Sequence, residues 1–236
     1  MMADTPMCNL LAASVFFLAI HFLVSGTRLR DALVARLGEG PYRGAFSLAS
    51  LIGLAWMIYA YRHAATVDLW RPLPDLRPLA YALVFVAFLL AVIGLATPSV
   101  TGVGMESKLT GQSTNSLIRG VTRITRHPFL WGVALWAVAH LLGNGDLASL
   151  VLFGSLLVLA LAGTMSIDAK RRRAYADGWS GFAQATSNLP FLAIASGRNS
   201  LALALREIGI VRPLVAILAY ALVFYFHGRL FGASLT

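Results

Sequence analysis

The chain has 236 residues, of which 58% are hydrophobic and 12% charged, against about 25% charged in an ordinary soluble domain. So few charges cannot cover a water-facing surface, which excludes a soluble enzyme and implies an integral membrane protein. The formal net charge of +9 points to anionic lipid and not to nucleic acid, because excess Lys and Arg in a polytopic protein gathers in its cytoplasmic loops.

A membrane span needs roughly 20 apolar residues. Six stretches meet or approach that length, at about 8–24, 44–61, 79–97, 128–143, 147–165 and 211–227. Before the first there is Asp4 and no Lys or Arg. The positive n-region of a signal peptide is missing, so this segment is expected to be retained. Cys8 is the single cysteine, which excludes an internal disulfide and any multi-cysteine metal site. His21 lies near the end of span one, and Arg28, Arg30, Arg36 and Arg43 follow it. Span two ends at Arg62-His63, with Asp68 and Trp70 beyond as a polar cap. After span three, the stretch 97–116 carries Thr97, Pro98, Gly102, Gly104, Gly111 and Asn115 and reads as a flexible connector.

The connector leads to RITRHPFLWGVALWAVAH, residues 123–140. Pro128 suits the first turn of a helix, where its missing N–H is not needed. His127 is therefore placed at the entrance of span four, with Arg123 and Arg126 outside it in water or among headgroups. Gly143, Asn144, Gly145 and Asp146 form a turn that should fold spans four and five into a tight antiparallel hairpin. The stretch 164–210 is too polar to span. Ile167, Tyr175, Trp179 and Phe182 recur near helical spacing beside the basic run Lys170–Arg173, which predicts an amphipathic helix at the cytoplasmic interface. Segment 185–200 reads as loop or re-entrant coil. The whole chain, 1–236, is read as one all-α, polytopic helical-bundle domain.

Counting Lys and Arg by loop sets the orientation. Fifteen fall after spans one, three and five, and four (Arg62, Arg71, Arg77 and Arg229) on the opposite side. Both termini are then expected outside the cytoplasm, on the periplasmic side of a bacterial inner membrane. On that topology His21 and His127 share the cytoplasmic leaflet. His140 lies 13 residues beyond His127, roughly 20 Å along a helix, near the outer face with His63 and His227. That outer trio reads as interfacial or hydrogen-bonding histidines before it reads as a second metal site.

Two histidines on different helices at one depth are what a bis-imidazole haem site needs, and Arg28, Arg30, Arg123 and Arg126 are available to meet propionates. An imidazole at such a threshold also serves simply to hydrogen-bond a neighbouring helix or a lipid phosphate. Both readings stay open on spacing alone.

Three stretches resemble the NnrU family of bacterial membrane proteins. They are VFFLAIHFLVSGTRLRDAL (15–33), Tyr61-Arg62-His63 leading to Leu69-Trp70, and above all RITRHPFLWGVALWAVAHLLGNGD (123–146), with RRRAYADGWSGFAQATSNLPF (171–191) after them. At greater distance they are similar to the 15-cis-ζ-carotene isomerase family. That resemblance implies haem b with histidine ligands corresponding to His21 and His127, and isomerisation of a cis double bond in a carotenoid or other polyene without net redox change. His127 would be the exchangeable ligand and so the catalytic residue. The first motif departs from the isomerases, which have His-Ser-Gly where His21 here is followed by Phe22 and Leu23. The NnrU name carries a context in nitrogen-oxide metabolism, or denitrification. A second resemblance, of RHPFLWG (126–132), Asp168, Tyr175, Trp179 and Leu189-Pro190, is to S-adenosylmethionine-dependent isoprenylcysteine and phospholipid methyltransferases, which do not require His21. A third class is non-catalytic: a haem sensor, an electron-transfer subunit or an assembly factor.

Overall fold

The computed structural model describes residues 4–102, 105, 109 and 114–232. The connector positions Gly104, Lys108 and Gly111 lie outside the described residues. Among those described, the chain is helical apart from one isolated antiparallel bridge, Asp68 to Asp146. Five helical stretches are long and apolar enough to cross a membrane, Thr5–Val24, Glu39–His63, Pro74–Leu95, Leu147–Ala174 and Val211–Phe231, and Pro128–Gly143 is a shorter apolar helix. The protein is thus an all-helical, multi-pass membrane bundle. The chain divides into two compact units, residues 1–80 with 137–166, and residues 81–136 with 167–236.

The first unit begins with α1, Asp4–Ala19, which runs on as a π-helix over Ile20–Val24. Thr27 then caps α2, Arg28–Leu37, accepting a hydrogen bond from Leu29 N–H at 3.2 Å. The long α3, Glu39–His63, follows at once. Its packing on α1 depends on a small residue: a Cβ on Gly53 would come within 3.0 Å of the Phe16 ring. Small residues at such a seam let two helices approach closely in lipid, where no hydrophobic effect separates protein from solvent. Leu10, Ala13, Phe17, Met57 and Ala60 are buried here, and Trp56 donates to Asn9 Oδ1 at 3.0 Å. Leu48, Leu51, Ile52 and Ile58 stay exposed, as lipid-facing side chains should.

The same unit contains the turn before α7, Leu147–Ala174. Asp146 caps that helix, its Oδ1 accepting from Ser149 N–H at 2.8 Å. The Gly145 carbonyl accepts from the backbone N–H groups of Leu69 and Trp70, and Leu147 N–H donates to Val67 C=O. A Cβ on Gly145 would fall 1.8 Å from the Trp70 carbonyl oxygen, so only glycine fits the crossing. α7 continues through the basic run to Ala174, beyond the apolar stretch of about 147–165. Lys and Arg are good helix formers, and cations are favoured at a helix C-terminus.

The second unit holds most of α4, Arg77–Leu95, short α5, Thr114–Leu117, a 3₁₀ turn at Gly120–Arg123, and the start of α6, Pro128–Gly143. It also holds the end of α7, then α8, Ala176–Ala185, α9, Leu192–Ala195, α10, Leu201–Ile208, and α11, Val211–Phe231. The polar stretch 164–210 comprises the end of α7, three short helices and turns, and the predicted helix through Ile167, Tyr175, Trp179 and Phe182 is divided at Tyr175 between α7 and α8. Trp179 and Phe182 are not spread on a membrane surface. They are fully buried with Val100, Leu109, Leu117 and Ile118. A second apolar cluster, Ile93, Val121, Ile124, Ala204 and Ile208, holds the 3₁₀ turn between α4 and α10. α4 and α6 meet at glycines: a Cβ on Gly132 would lie 2.8 Å from Ala87 C=O, and one on Gly94 2.9 Å from Pro128 Cγ.

Candidate functional site

His127 is the N-cap of α6. A residue before proline is pushed out of the helical region, and its carbonyl accepts the first helical bond, from Trp131 N–H at 3.0 Å. The side chain is almost wholly buried, 1% exposed. Its Nε2–H donates to Asp168 Oδ1 at 2.7 Å, which leaves the lone pair on Nδ1. Arg126 grips the same carboxylate, with Nη2 2.6 Å and Nε 3.0 Å from Oδ2. The Arg126 guanidinium also lies over the Trp179 ring, 5.7 Å from its centroid. An imidazole, a carboxylate and a guanidinium thus share one site with no net charge while the histidine is neutral. Burial holds the His127 pKa below its ordinary value, against the pull of Asp168.

The backbone around this cluster is bonded on both sides. Thr125 Oγ1 accepts from His127 N–H at 3.2 Å and donates to Asn188 C=O at 2.6 Å. Trp131 Nε1–H donates to the same carbonyl at 2.8 Å. Arg126 N–H donates to Ser187 C=O, and Phe191 N–H to Ile124 C=O, both at 2.9 Å. Segment 187–191 therefore clasps the His-Pro entrance, and it does so with Phe191 at φ +64°. A left-handed phenylalanine costs of order 1–3 kcal/mol, and such outliers gather at functional sites.

Arg123 is held separately. Its Nε and Nη2 form a two-pronged pair with Glu207 at 2.8 and 2.9 Å, and Nη1 donates to Asn199 Oδ1 at 2.8 Å. Gly120 N–H adds a third bond to Glu207, at 2.6 Å. These bonds, those from Arg123 above all, hold the Glu207 pKa below the usual carboxylate value. Neither Arg123 nor Arg126 stands outside in water or headgroups as the sequence predicts. Each is largely buried against a carboxylate, because an unpaired guanidinium at that depth would be costly.

His21 and Arg28 belong to the other unit. His21 sits in the π-helix, where the ladder is widened by one residue, a feature frequent at functional sites. Its Nδ1–H donates to Phe17 C=O at 2.7 Å, which puts the lone pair on Nε2. The ring packs on Phe17 and Phe46, at 4.6 and 5.3 Å. Arg28 is exposed on the first turn of α2. Nearby Arg30 pairs with Glu39 at 2.8 Å. Of the three histidines predicted for the outer face, His63 donates to Tyr59 C=O at 2.8 Å, His140 stacks on Phe153, and His227 packs on Phe231. No group of three or more His, Cys, Asp or Glu that could hold a metal occurs among the described residues.

Asp168 is the site residue that the haem reading does not foresee. The available signal is its isolation, one carboxylate between an apolar span and four cations. Asn188 and Glu207 have no comparable signal.

The fold and this buried cluster define a polytopic helical membrane protein with an imidazole–carboxylate–guanidinium site at a helix entrance. The chain belongs to the NnrU protein family, whose model matches residues 9–235. It is also 25% identical over 236 residues to the chloroplastic 15-cis-zeta-carotene isomerase of Zea mays, and 25% identical over 237 residues to that of Arabidopsis thaliana. Each match covers 98% of this chain and 63% of the relative, so the chain spans less than two thirds of the length of these curated relatives. No solved structure matches it.

Proposed function

We propose that this protein is a haem-b-dependent cis–trans isomerase of a conjugated polyene dissolved in the bilayer, with His21 and His127 as the haem ligands. On this reading it lies in a bacterial inner membrane with both termini periplasmic. The observation that carries the reading is the buried His127–Asp168–Arg126 cluster, in a chain that aligns over 98% of its length with two carotene isomerases.

Both histidines suit a metal ligand at the level of the ring. Metal-binding histidines almost always give their second nitrogen to a carboxylate or backbone carbonyl, which fixes the tautomer. His21 gives Nδ1–H to Phe17 C=O and keeps its lone pair on Nε2. His127 gives Nε2–H to Asp168 and keeps its lone pair on Nδ1. Haem, when bound, would supply an iron able to donate electron density to a polyene. The protein's own share is to bury His127 and to hold its ring against Asp168, which Arg126 pairs from its other side. Pro128 and the 187–191 clasp fix the entrance to α6. Isomerisation about a double bond adds and removes no atoms, so no further acid or base is required.

One observation favours a second reading, methyl transfer from S-adenosylmethionine. The RHP motif and the later acidic residue, 41 positions apart, do meet. His21 discriminates, since methyl transfer has no use for it.

The test is the absorption spectrum of detergent-purified protein from haem-replete cells, air-oxidised and then dithionite-reduced, alongside His21→Ala and His127→Ala. A Soret band that sharpens on reduction, with α and β bands lost or shifted in both variants, is the expected outcome. A colourless protein would remove the isomerase reading. A haem spectrum unchanged in both variants would remove the ligand assignment.

A further inference from the structure

Beside the histidine cluster lies a cleft of about 400 Å³, within the ~300–1,000 Å³ range of ligand pockets. It is lined by Arg126, Arg172 and one face of α8, at positions 176, 179, 180, 183 and 184. That spacing is a single helical stripe, and it mixes two alanines with donors. Three of the donors lack an acceptor among the described residues. Arg126 commits Nε and Nη2 to Asp168 and makes no bond through Nη1. The exposed Arg172 has no hydrogen-bond or ion-pair partner. Trp179 Nε1–H is buried with none, although Trp179 is only 2% exposed. Buried donors are seldom left unsatisfied, and each one calls for a missing acceptor. Gln184 Nε2–H donates to Ser180 Oγ at 3.1 Å, which leaves the serine hydroxyl its own proton to donate. Among the described residues, no carboxylate lines the cleft.

Two guanidiniums and a hydroxyl around one space, with an unsatisfied indole N–H on a residue of the same lining, call for a ligand rich in acceptor oxygens and negative charge. A phosphate group meets both conditions, and guanidinium forks suit it. The alanines on the same stripe favour a phosphate that carries an apolar tail. The cleft also directly follows the C-terminal end of the membrane-spanning helix α7. We propose that this cleft binds the phosphate headgroup of an anionic amphiphile from the bilayer, as a site that shares Arg126 with the histidine cluster but neither proposed haem ligand, and that does not rest on the isomerase reading.

The experiment uses the full-length protein in nanodiscs and in neutral detergent. It compares phosphatidylcholine alone, a three-to-one mixture of phosphatidylcholine and phosphatidylglycerol, and inorganic phosphate added to the detergent sample. Thermal stability and lipid adducts by native mass spectrometry are the readouts. Three variants accompany the wild type: Arg172→Gln, Trp179→Phe, and Arg173→Gln as a neighbouring cation that does not line the cleft. Phosphatidylglycerol is expected to raise the melting temperature and give a discrete adduct. Arg172→Gln should weaken it about tenfold or more, the size of a lost charged hydrogen bond. Trp179→Phe should weaken it severalfold while keeping the charge. Arg173→Gln should cost about fivefold or less, the effect of one surface cation near anionic lipid. Equal losses in Arg172→Gln and Arg173→Gln would reduce the effect to surface electrostatics and overturn the site. Undiminished binding in both Arg172→Gln and Trp179→Phe would also overturn it. An equal shift with inorganic phosphate would overturn the amphiphile.

Discussion

His127, Asp168 and Arg126 form a balanced set, and the balance dictates what substitution does. Removing one partner of a buried ion pair leaves the other charge uncompensated and costs about 3–5 kcal/mol. Asp168→Ala should therefore lower the melting temperature sharply in detergent. The double variant Arg126→Met with Asp168→Leu should be less destabilised than Asp168→Ala alone, because it removes both charges. A double variant worse than the single would mean the pair has a role that apolar packing cannot replace. The pH response follows from His127. Burial lowers its pKa, so as pH falls through about 6.5 the unfolded imidazole takes up a proton before the folded one does. The unfolded state then binds more protons, and stability falls with falling pH. Asp168, Arg126 and Arg171 are the charged groups that act on the ring. Melting temperatures between pH 8 and pH 5 should decline in the wild type and flatten in that range in His127→Gln. The pair of Arg123 and Glu207 gives way at lower pH, because a depressed carboxylate pKa contributes stability that is lost only in acid.

At the level of the elements, glycines decide how closely the helices approach. α6 can rest on α4 only because Gly132 and Gly94 present no Cβ to Ala87, Ala91 and Pro128. Gly132→Val should cost about 1–3 kcal/mol, as overpacking does, and should disturb His127 through the displaced first turn of α6. Gly44 in α3 has open space around it. Gly44→Ala should be neutral or stabilise by about 0.5–1 kcal/mol, through helix propensity. Equal melting temperatures for the two variants would show that the seam is not tight. The clasp over residues 187–191 follows a different logic. It is made mostly through its own backbone groups, the Ser187 and Asn188 carbonyls and Phe191 N–H, so its side chains carried little signal, and the sequence reads 185–200 as loop or re-entrant coil where the structure has a strained turn at Phe191 and the one-turn helix α9.

For the whole molecule, the length of α6 decides the path through the bilayer. α6 has 16 residues and reaches only about 24 Å at 1.5 Å per residue, short of a hydrocarbon core of about 30 Å. If it crosses, the chain makes six passes and the termini share a side. If it does not, they lie opposite. Alkaline phosphatase and fluorescent-protein fusions at each end are expected to report both termini as periplasmic, in line with the distribution of Lys and Arg. A cytoplasmic C-terminus would remove α6 from the set of spans.

The membrane class, the α1, α3, α4, α7 and α11 spans, the turn at Gly143–Asp146, whose first residue closes α6, and the His-Pro helix entrance were all legible in the sequence. Each depends on local properties: the length of an apolar run, a turn-forming tetrad, and a proline that fits one helix position. The partners of the candidate residues were not legible. Asp168 lies 41 positions from His127 and Glu207 lies 84 from Arg123. No spacing rule links residues so far apart. Only the packing of helices decides which buried carboxylate meets which cation, because a charge removed from water must be paired wherever the fold happens to supply a partner.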